Sequence, residues 1–391
     1  MLPLFVIFTI QRVNMIRLGI LGGGQLGRML LQQAANYPVE TWVMENDEDC
    51  PAASLCDHFV KGDIRDFDAV IAFGQQVESL TIEIENVNLK ALEKLEAEGK
   101  RIYPNTRALG IIQNKILQKQ FYQEHDIPTA AFKVLQGKDE LMAEAGFLPA
   151  VQKLAMGGYD GRGVLMMRTE SDLEKGFDEP SVLEKMIPVH KELAMIVAIG
   201  HHKEQGLFPP TEMVFDPMLN LLDYQICPAD IPEKMMWKAE AIALSVARNL
   251  KSPGIFAVEL LTDHTGSVYV NETAPRVHNS GHHSIEGNYS SQFDMLLRII
   301  LGYPLGNTDN ILPSMLLNLI GEKGYEGEPV YEGLEEVLKI ENAFVHIYGK
   351  RETRPGRKMG HVTVISSDKR DLLHKANKIK HTLKVKGTKT K

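Results

Sequence analysis

The chain has 391 residues, 44% of them hydrophobic and 24% charged, which is enough to bury a sizeable core in two or three domains and too apolar for a disordered or fibrous chain. A net charge of −8 repels polyphosphate backbones over most of the surface, so bulk nucleic-acid binding is excluded as the main role and any anionic ligand must be held by local clusters. Three cysteines, Cys50, Cys56 and Cys227, with neither CxxC nor a Cys/His zinc spacing, exclude a disulfide scaffold and suit a reducing cytoplasm.

The apolar opening MLPLFVIFTI has no basic leader and is too short to span a bilayer, so no membrane role is expected. Residues 1–14 read as a non-native or upstream extension, with translation starting at Met15; the competing reading is the apolar core of a signal peptide. From Ile16 the chain alternates IRLGIL, a glycine turn and the amphipathic QLGRMLLQQAANY, then TWVMEN (41–46), HFVKGD (58–63) and SLTIEIEN (79–86), the pattern of a parallel α/β domain over 15–108. The stretch 103–128 reads as largely helical, with Asn105 or Thr106 as N-cap. After Pro149 the period shortens to strands around a glycine loop, which predicts an antiparallel α+β domain over 109–308 with a lid at about 130–190. The stretch 232–250 predicts a strong amphipathic helix leading into the hairpin GIFAVELLTDHTGSVYVNETAPR. Shorter elements beyond 309 predict a small C-terminal domain, and the lysine-rich last seventeen residues read as a solvated or fraying tail.

Five clusters carry chemistry. The turn Gly22-Gly23-Gly24-Gln25-Leu26-Gly27 matches GxGxxG, whose amides can approach a phosphate, with Glu45 as a possible dinucleotide ribose acceptor. That leaves a phosphate site, a nicotinamide dehydrogenase and a plain tight turn all open. The loop Gly157-Gly158-Tyr159-Asp160-Gly161-Arg162-Gly163 has more glycine than a hairpin needs; its amides could cover phosphates, Arg162 neutralise charge and Asp160 orient an amine or accept its proton, with Lys153 just upstream. In the hairpin, closure through a two-residue turn at Thr265-Gly266 sets Glu259 opposite Glu272, and like charges so placed call for a cation, Mg²⁺ rather than zinc. A slipped register leaving one glutamate solvated is the alternative. The run Ala274 to His283 follows; its His278 and His282 are unconvincing zinc ligands, whereas Arg276, His278 and Asn279 suit a small oxyanion. Finally Lys350, Arg351, Arg354, Arg357 and Lys358 concentrate positive charge in an acidic protein, as a site for a phosphate monoester or as a solvated turn.

GGGQLGRM, GGYDGRG, NETAPRVHNSGHH and RPGRKMGHV, in this order, make residues 15–370 similar to the N5-carboxyaminoimidazole ribonucleotide synthetase family of ATP-grasp enzymes. The resemblance implies an ATP-grasp fold of mixed α/β and α+β class: a Rossmann-like N-terminal domain, a central domain with a lid, a small C-terminal domain, and a homodimer. It implies ligation of bicarbonate to the exocyclic amine of 5-aminoimidazole ribonucleotide, with ATP as co-substrate and Mg²⁺, or Mn²⁺, as metal. By the resemblance, the nucleotide would meet Lys115, Lys153, the loop Gly158, Tyr159, Asp160, Gly161, Arg162 and Gly163, the backbone of Glu184, Lys185, Met186 and Ile187, the carboxylate of Glu192, and Asn271 and Glu272. Glu259 and Glu272 would hold the metal. The ribonucleotide would meet Gly24, Gln25, Leu26, Tyr159, Asp160, Arg162, Lys350, Arg357 and Lys358, and Asp160, Arg276, His278 and Asn279 would serve catalysis. One departure concerns the segment TEMVFD, where many relatives have a histidine and this chain offers Glu212 and Phe215. Another ATP-grasp ligase, such as formate-dependent glycinamide ribonucleotide transformylase, is the nearest alternative, and a catalytically silent nucleotide-binding module is the alternative of a different class.

Overall fold

The computed structural model describes residues 15–158, 163–215 and 222–389; the extension 1–14 and the loop residues Tyr159, Asp160, Gly161 and Arg162 lie outside them. The N-terminal domain is a five-stranded parallel sheet in the order His58–Lys61, Val39–Glu45, Ile16–Leu21, Ser79–Ile82, Arg101–Tyr103. Strand order reverses between Ile16–Leu21 and Ser79–Ile82, so the glycine turn after the first strand and the segment after Ile82 share the crevice at their carboxyl ends. Ser79–Ile82 is shorter than the alternation of SLTIEIEN suggests, and Glu83 and Glu85 fall in the loop beyond it.

The helical stretch 103–128 is two helices, Thr106–Gln113 and Lys115–Glu124. Asn114 breaks it: its backbone is extended, and its side chain accepts the amides of Ile116 and Leu117. A second N-cap inside a continuous apolar period thus ends one helix and opens the next at Lys115. The stretch expected to form a lid folds as a four-stranded antiparallel sheet ordered Phe132–Leu135, Ser181–Lys185, Ala150–Leu154, Val164–Met167.

The small C-terminal domain shares a sheet with the central one: Ser314–Ile320, Lys358–Ile365 and Ala343–Ile347 continue the central antiparallel sheet through Leu222–Cys227, making one nine-stranded sheet. Its other half carries Val189–Ile199, Gln205–Leu207, Thr211–Phe215, Gly254–Asp263 and Val268–Ala274, backed by the helix Glu233–Asn249, whose Ala239, Ala243 and Val246 pack on Val258 and Leu260. One expectation is corrected: the lysine-rich end is not a loose tail. The helix Lys369–Thr382 buries Leu372, Ala376 and Ile379, and Lys384–Lys389 pairs with Tyr325–Glu332 while Val385 enters the core. Lysine stems at the exposed positions of an amphipathic helix raise the charge count without preventing packing.

Because the edge of Leu222–Cys227 is covered by Ser314–Ile320, a chain ending at Pro313 would expose an unpaired apolar strand edge. Such a truncation should lose most of its soluble yield and form aggregates visible by light scattering; a monodisperse product with an unchanged melting temperature would show that the C-terminal part is independent.

Candidate active site

The hairpin places Glu259 opposite Glu272, though not by a two-residue turn. Asp263 and Ser267 close a three-residue turn over Gly266, whose φ of +79° suits glycine. A bulge then adds one residue between Glu259 and Leu260 on the facing strand's side, at Asn271. The shorter register near the turn and the bulge offset each other, and the same two glutamates meet. The bulge also breaks alternation, so consecutive Asn271 and Glu272 serve one face.

Around this pair the lysines converge. Lys115, presented by the Asn114 break, is ion-paired to Glu272. Lys153 donates to Asn271 Oδ1 at 2.8 Å and lies 3.1 Å from Glu184 Oε1, so it is buried rather than solvated. Asn271 Nδ2 is 3.4 Å from Glu259 Oε2. Lys119, which sequence reasoning passed over, is 2% exposed, pairs with Glu184 Oε2 at 2.9 Å and donates to Thr129 Oγ1 at 2.7 Å. Burial lowers Lys119 to about 8, whereas Lys153 and Lys119 overcome the opposing effect of burial and hold Glu184 below the ordinary carboxylate range. Lys115 first, and Lys153 behind it, push Glu272 down, while burial and the facing Glu272 push Glu259 up. The pair is therefore pulled apart in proton affinity by its unequal access to lysine.

Glu192, on the neighbouring strand opposite Leu261, is raised by burial and adds negative charge near Glu259. In the stretch Glu184, Lys185, Met186 and Ile187, the Lys185 amide donates to Ala131 O and the Met186 amide to Pro149 O, so two of its donors serve the lid sheet. The ends of the glycine loop, Gly157 and Gly163, have φ of +76° and +72°, and Gly163 O accepts from Leu154 N. Glu212 pairs with Lys191 at 2.8 Å, which gives it a partner in the fold, and Phe215 is exposed beside it.

His278 Nδ1 accepts the Ser280 amide at 3.3 Å, which turns Nε2 toward Glu259 Oε1 at 3.6 Å. Asn279 starts the short turn that follows. His282, proposed above as an unconvincing zinc ligand, is fully buried against other rings, and among the described residues no group of three or more His, Cys, Asp and Glu is arranged to hold a metal. Two carboxylates with an adjacent amide oxygen are nevertheless a fitting donor set for a hard divalent cation that takes its other ligands from phosphate and water.

The glycine turn differs from expectation. Gly23 N donates to Glu45 Oε2 at 3.1 Å and Leu26 N donates to Glu83 Oε1 at 3.1 Å. Carboxylates of the protein occupy these amides, so this helix end is not an open phosphate cradle, and Glu45 is committed to the turn rather than to a dinucleotide ribose. A Cβ at Gly24 would lie 2.4 Å from Glu83 Oε1, so Gly24 is required by that close approach. Gln25 opens the helix beside it. Burial raises Glu83, and the charges of Arg276 and Lys350 both reach it. Arg276 is held by Glu85 through two contacts of 3.0 Å. Lys350 donates to Lys358 O at 2.7 Å, Arg357 to Glu352 O at 2.8 Å, and Arg351 pairs with Asp49. Strand and turn thus bring Gly24 to Leu26, Arg276 and Lys350 to a crevice around Glu83, with the Lys358 carbonyl tied to Lys350. Glu83 and Glu85, missed in the sequence, are its floor; the signal was two carboxylates just past the strand next to the reversal of strand order.

Residues 15–113 match a ribonucleotide synthetase preATP-grasp domain, 120–293 an ATP-grasp domain and 314–375 a phosphoribosylaminoimidazole carboxylase C-terminal domain. A crystal structure of N5-carboxyaminoimidazole ribonucleotide synthetase from Thermotoga maritima is 37% identical, covers 95% of this chain and 100% of its own, and superposes with a TM-score of 0.87. The chain belongs to the N5-carboxyaminoimidazole ribonucleotide synthetase family. Another family structure, from Aspergillus clavatus, described as a complex with ADP and 5-aminoimidazole ribonucleotide, is 30% identical with a TM-score of 0.84 and covers 94% of this chain and 98% of its own. The chloroplastic phosphoribosylaminoimidazole carboxylase of Vigna aconitifolia is 36% identical over 89% of this chain, which spans only 64% of that relative's length. Among the described residues no helix is long and apolar enough to cross a membrane.

The raised carboxyl of Glu259 has a consequence for stability. A folded pKa above the unfolded one means that the folded chain binds more protons between the two values, so this group's penalty grows as pH rises through that window and is complete above it. In metal-free buffer Glu259→Gln should therefore melt no lower than the parent at pH 5 and roughly 2 °C higher at pH 8, read by calorimetry; a variant less stable than the parent at pH 8 would show that the pair is not under repulsion.

Proposed function

We propose that this chain is an ATP-dependent ligase that carboxylates the exocyclic amine of 5-aminoimidazole ribonucleotide with bicarbonate, through carboxyphosphate, in purine biosynthesis. The observation that carries the reading is a pair of charge clusters linked by the hairpin and the run that leaves it: Glu259, Glu272, Asn271, Lys115 and Lys153, and Arg276 with Lys350 about Glu83. The first suits a metal triphosphate and the second a small anion beside a phosphate monoester. The Aspergillus clavatus relative, described with ADP and this ribonucleotide, supports both assignments. No observation favours the transformylase or the silent module. A cytoplasmic homodimer is part of the same proposal.

Glu259 and Glu272 would hold Mg²⁺, or Mn²⁺, which when bound supplies charge neutralisation for the transferring phosphoryl group. Lys115 and Lys153 neutralise the remaining phosphate charge, and Lys119 keeps Glu184 and so Lys153 in place. Glu192 receives the ribose, and the adenine edge falls to Ile187 and the carbonyls of Glu184, Lys185 and Met186, because the Lys185 and Met186 amides are engaged. The lid loop from Gly158 to Gly163, with Tyr159, Asp160, Gly161 and Arg162, closes over the phosphates and excludes water, which would destroy carboxyphosphate. Arg276, His278 and Asn279 hold bicarbonate and the intermediate. Asp160 orients the acceptor amine or takes its proton. Lys350, Arg357 and Lys358 receive the acceptor phosphate, and Glu83 faces the ribose side near Gly24, Gln25 and Leu26.

The deciding experiment is ADP release with ATP and Mg²⁺, adding bicarbonate and aminoimidazole ribonucleotide separately and together. Full turnover should need both, and release indifferent to the ribonucleotide would reject the substrate assignment.

Single substitutions then divide the site. Glu272→Gln should reduce turnover by several orders of magnitude without unfolding the chain, since metal assistance contributes several kcal/mol; near-normal activity would remove the pair from the site. Lys358→Ala should raise KM for the ribonucleotide about ten- to a hundredfold with little change for ATP, whereas Arg276→Ala should mainly lower kcat. Equal weakening of ATP binding by both would reassign the C-terminal cluster.

A further inference from the structure

The groups assigned to the two reactants lie far apart in the chain, with Arg276 and His278 after the hairpin and Lys350 and Lys358 at the C-terminal end of the nine-stranded sheet. A buried side-chain connection joins them. Gln292, fully buried at the start of the helix Gln292–Leu301, pairs with the His278 backbone in both directions: its Oε1 accepts the His278 amide at 2.8 Å and its Nε2 donates to the His278 carbonyl at 2.7 Å. Gly281 makes room for it, because a Cβ there would stand 2.6 Å from Gln292 Oε1. The same Nε2 lies 3.2 Å from His282 Nδ1.

The His282 ring packs on His361 at 5.1 Å between centroids, and His361 stacks on His346 at 4.4 Å, whose Nε2 meets Glu286 at 2.7 Å. His361 is on the strand Lys358–Ile365 that begins with the acceptor lysine. Its Nδ1 is 3.0 Å from the Tyr348 hydroxyl, which can donate to it, and the Tyr348 ring lies 5.7 Å from Lys350 Nζ. His282, His361 and Tyr348 are each at most 1% exposed.

Simple core packing explains this poorly. Among the described residues the Nε2 atoms of His282 and His361 have no hydrogen-bond partner, a desolvation cost that a leucine or phenylalanine would not carry. What imidazole offers here is a flat ring for its neighbour together with an acceptor nitrogen toward Gln292 or Tyr348, which fixes rotation as well as distance.

We propose that Gln292, His282 and His361 are positioning residues: the buried run Gln292–His282–His361–Tyr348 fixes the Arg276–His278 loop relative to Lys350 and Lys358, so that the carboxyl donor and the acceptor amine are brought into register. The inference rests on the acceptor reading above. Loss of the connection leaves both sets of ligands present but misplaced, which lowers the rate and acceptor affinity without touching the nucleotide.

The test uses the full chain with ATP, Mg²⁺, bicarbonate and aminoimidazole ribonucleotide, following ADP release. His361→Ala should raise KM for the ribonucleotide about tenfold and lower kcat, with KM for ATP changed less than about twofold. His361→Phe, which keeps the ring, should recover much of the acceptor affinity. In a Lys358→Ala background, His361→Ala should add little to that KM, because the lysine it positions is already gone. Should His361→Ala not fold, Gln292→Met carries the same test, since it frees the His278 backbone at nearly constant volume. A lower melting temperature with unchanged KM for the ribonucleotide, additivity with Lys358→Ala, or an equal rise in KM for ATP would each overturn the positioning role. Absence of ribonucleotide-dependent ADP release in the parent chain would instead reject the functional reading, and this inference with it.

Discussion

Two carboxylates placed opposite each other in a sheet repel, and the fold tolerates Glu259 facing Glu272 because lysine charge and a ring nitrogen come to the pair from three separate elements. Lys115 arrives from a helix start that exists because Asn114 caps it. Lys153 arrives from a lid strand and is steadied by Asn271. The third, His278, follows the hairpin and turns Nε2 toward Glu259. Each contact crosses a boundary between elements, so the charges that make the site costly also tie lid, helix pair and central sheet together. Removing one partner leaves an uncompensated charge, which is the expensive way to break such a network.

The compensation is uneven. Glu272 has a lysine in contact and stays ionised, whereas Glu259 has weaker neighbours and is held toward its protonated form. A divalent cation has most to offer where protein charges fall short, and the deficit lies at Glu259. Lys119 stands one step further back. Sharing Glu184 between Lys119 and Lys153 keeps a second buried carboxylate from competing freely for Lys153, so a residue with no access to the crevice still limits where the crevice lysine can go.

Much of this was legible in the residues. Alternation in the hairpin and the glycine-bearing turn pointed to the facing glutamates, yet the meeting results from two departures, a longer turn and a bulge at Asn271, that no residue pattern in the strands announces. The break at Asn114 was hidden because apolar period runs through it, and only the asparagine itself marks the new cap. Glu83 and Glu85 resembled the solvated end of an alternating strand; what matters is that the neighbouring strand ends in glycine, a relation set by sheet order. The continuity of the C-terminal strands with the central sheet, and the ring contacts of His282 with His361, depend on pairings between distant segments and leave no local mark.

That continuity bears on how two reactants are brought together. Strands from Val268–Ala274 to Ala343–Ile347 form one hydrogen-bonded surface, so the carboxylate pair near one edge and the lysines near the other stand on a single stiff support and not on domains joined by a linker. Hydrogen bonds along a sheet fix strand spacing at about 4.8 Å but leave twist adjustable over several strands. Side chains crossing above it remove that remaining freedom. Gln292 on the His278 backbone and His282 on His361 cross at the place where the loop leaving the hairpin passes over the C-terminal strands. The four-stranded sheet Phe132–Leu135, Ser181–Lys185, Ala150–Leu154, Val164–Met167 is separate from this support, so its position is set by the Lys153 and Lys119 contacts and not by strand pairing with the central sheet.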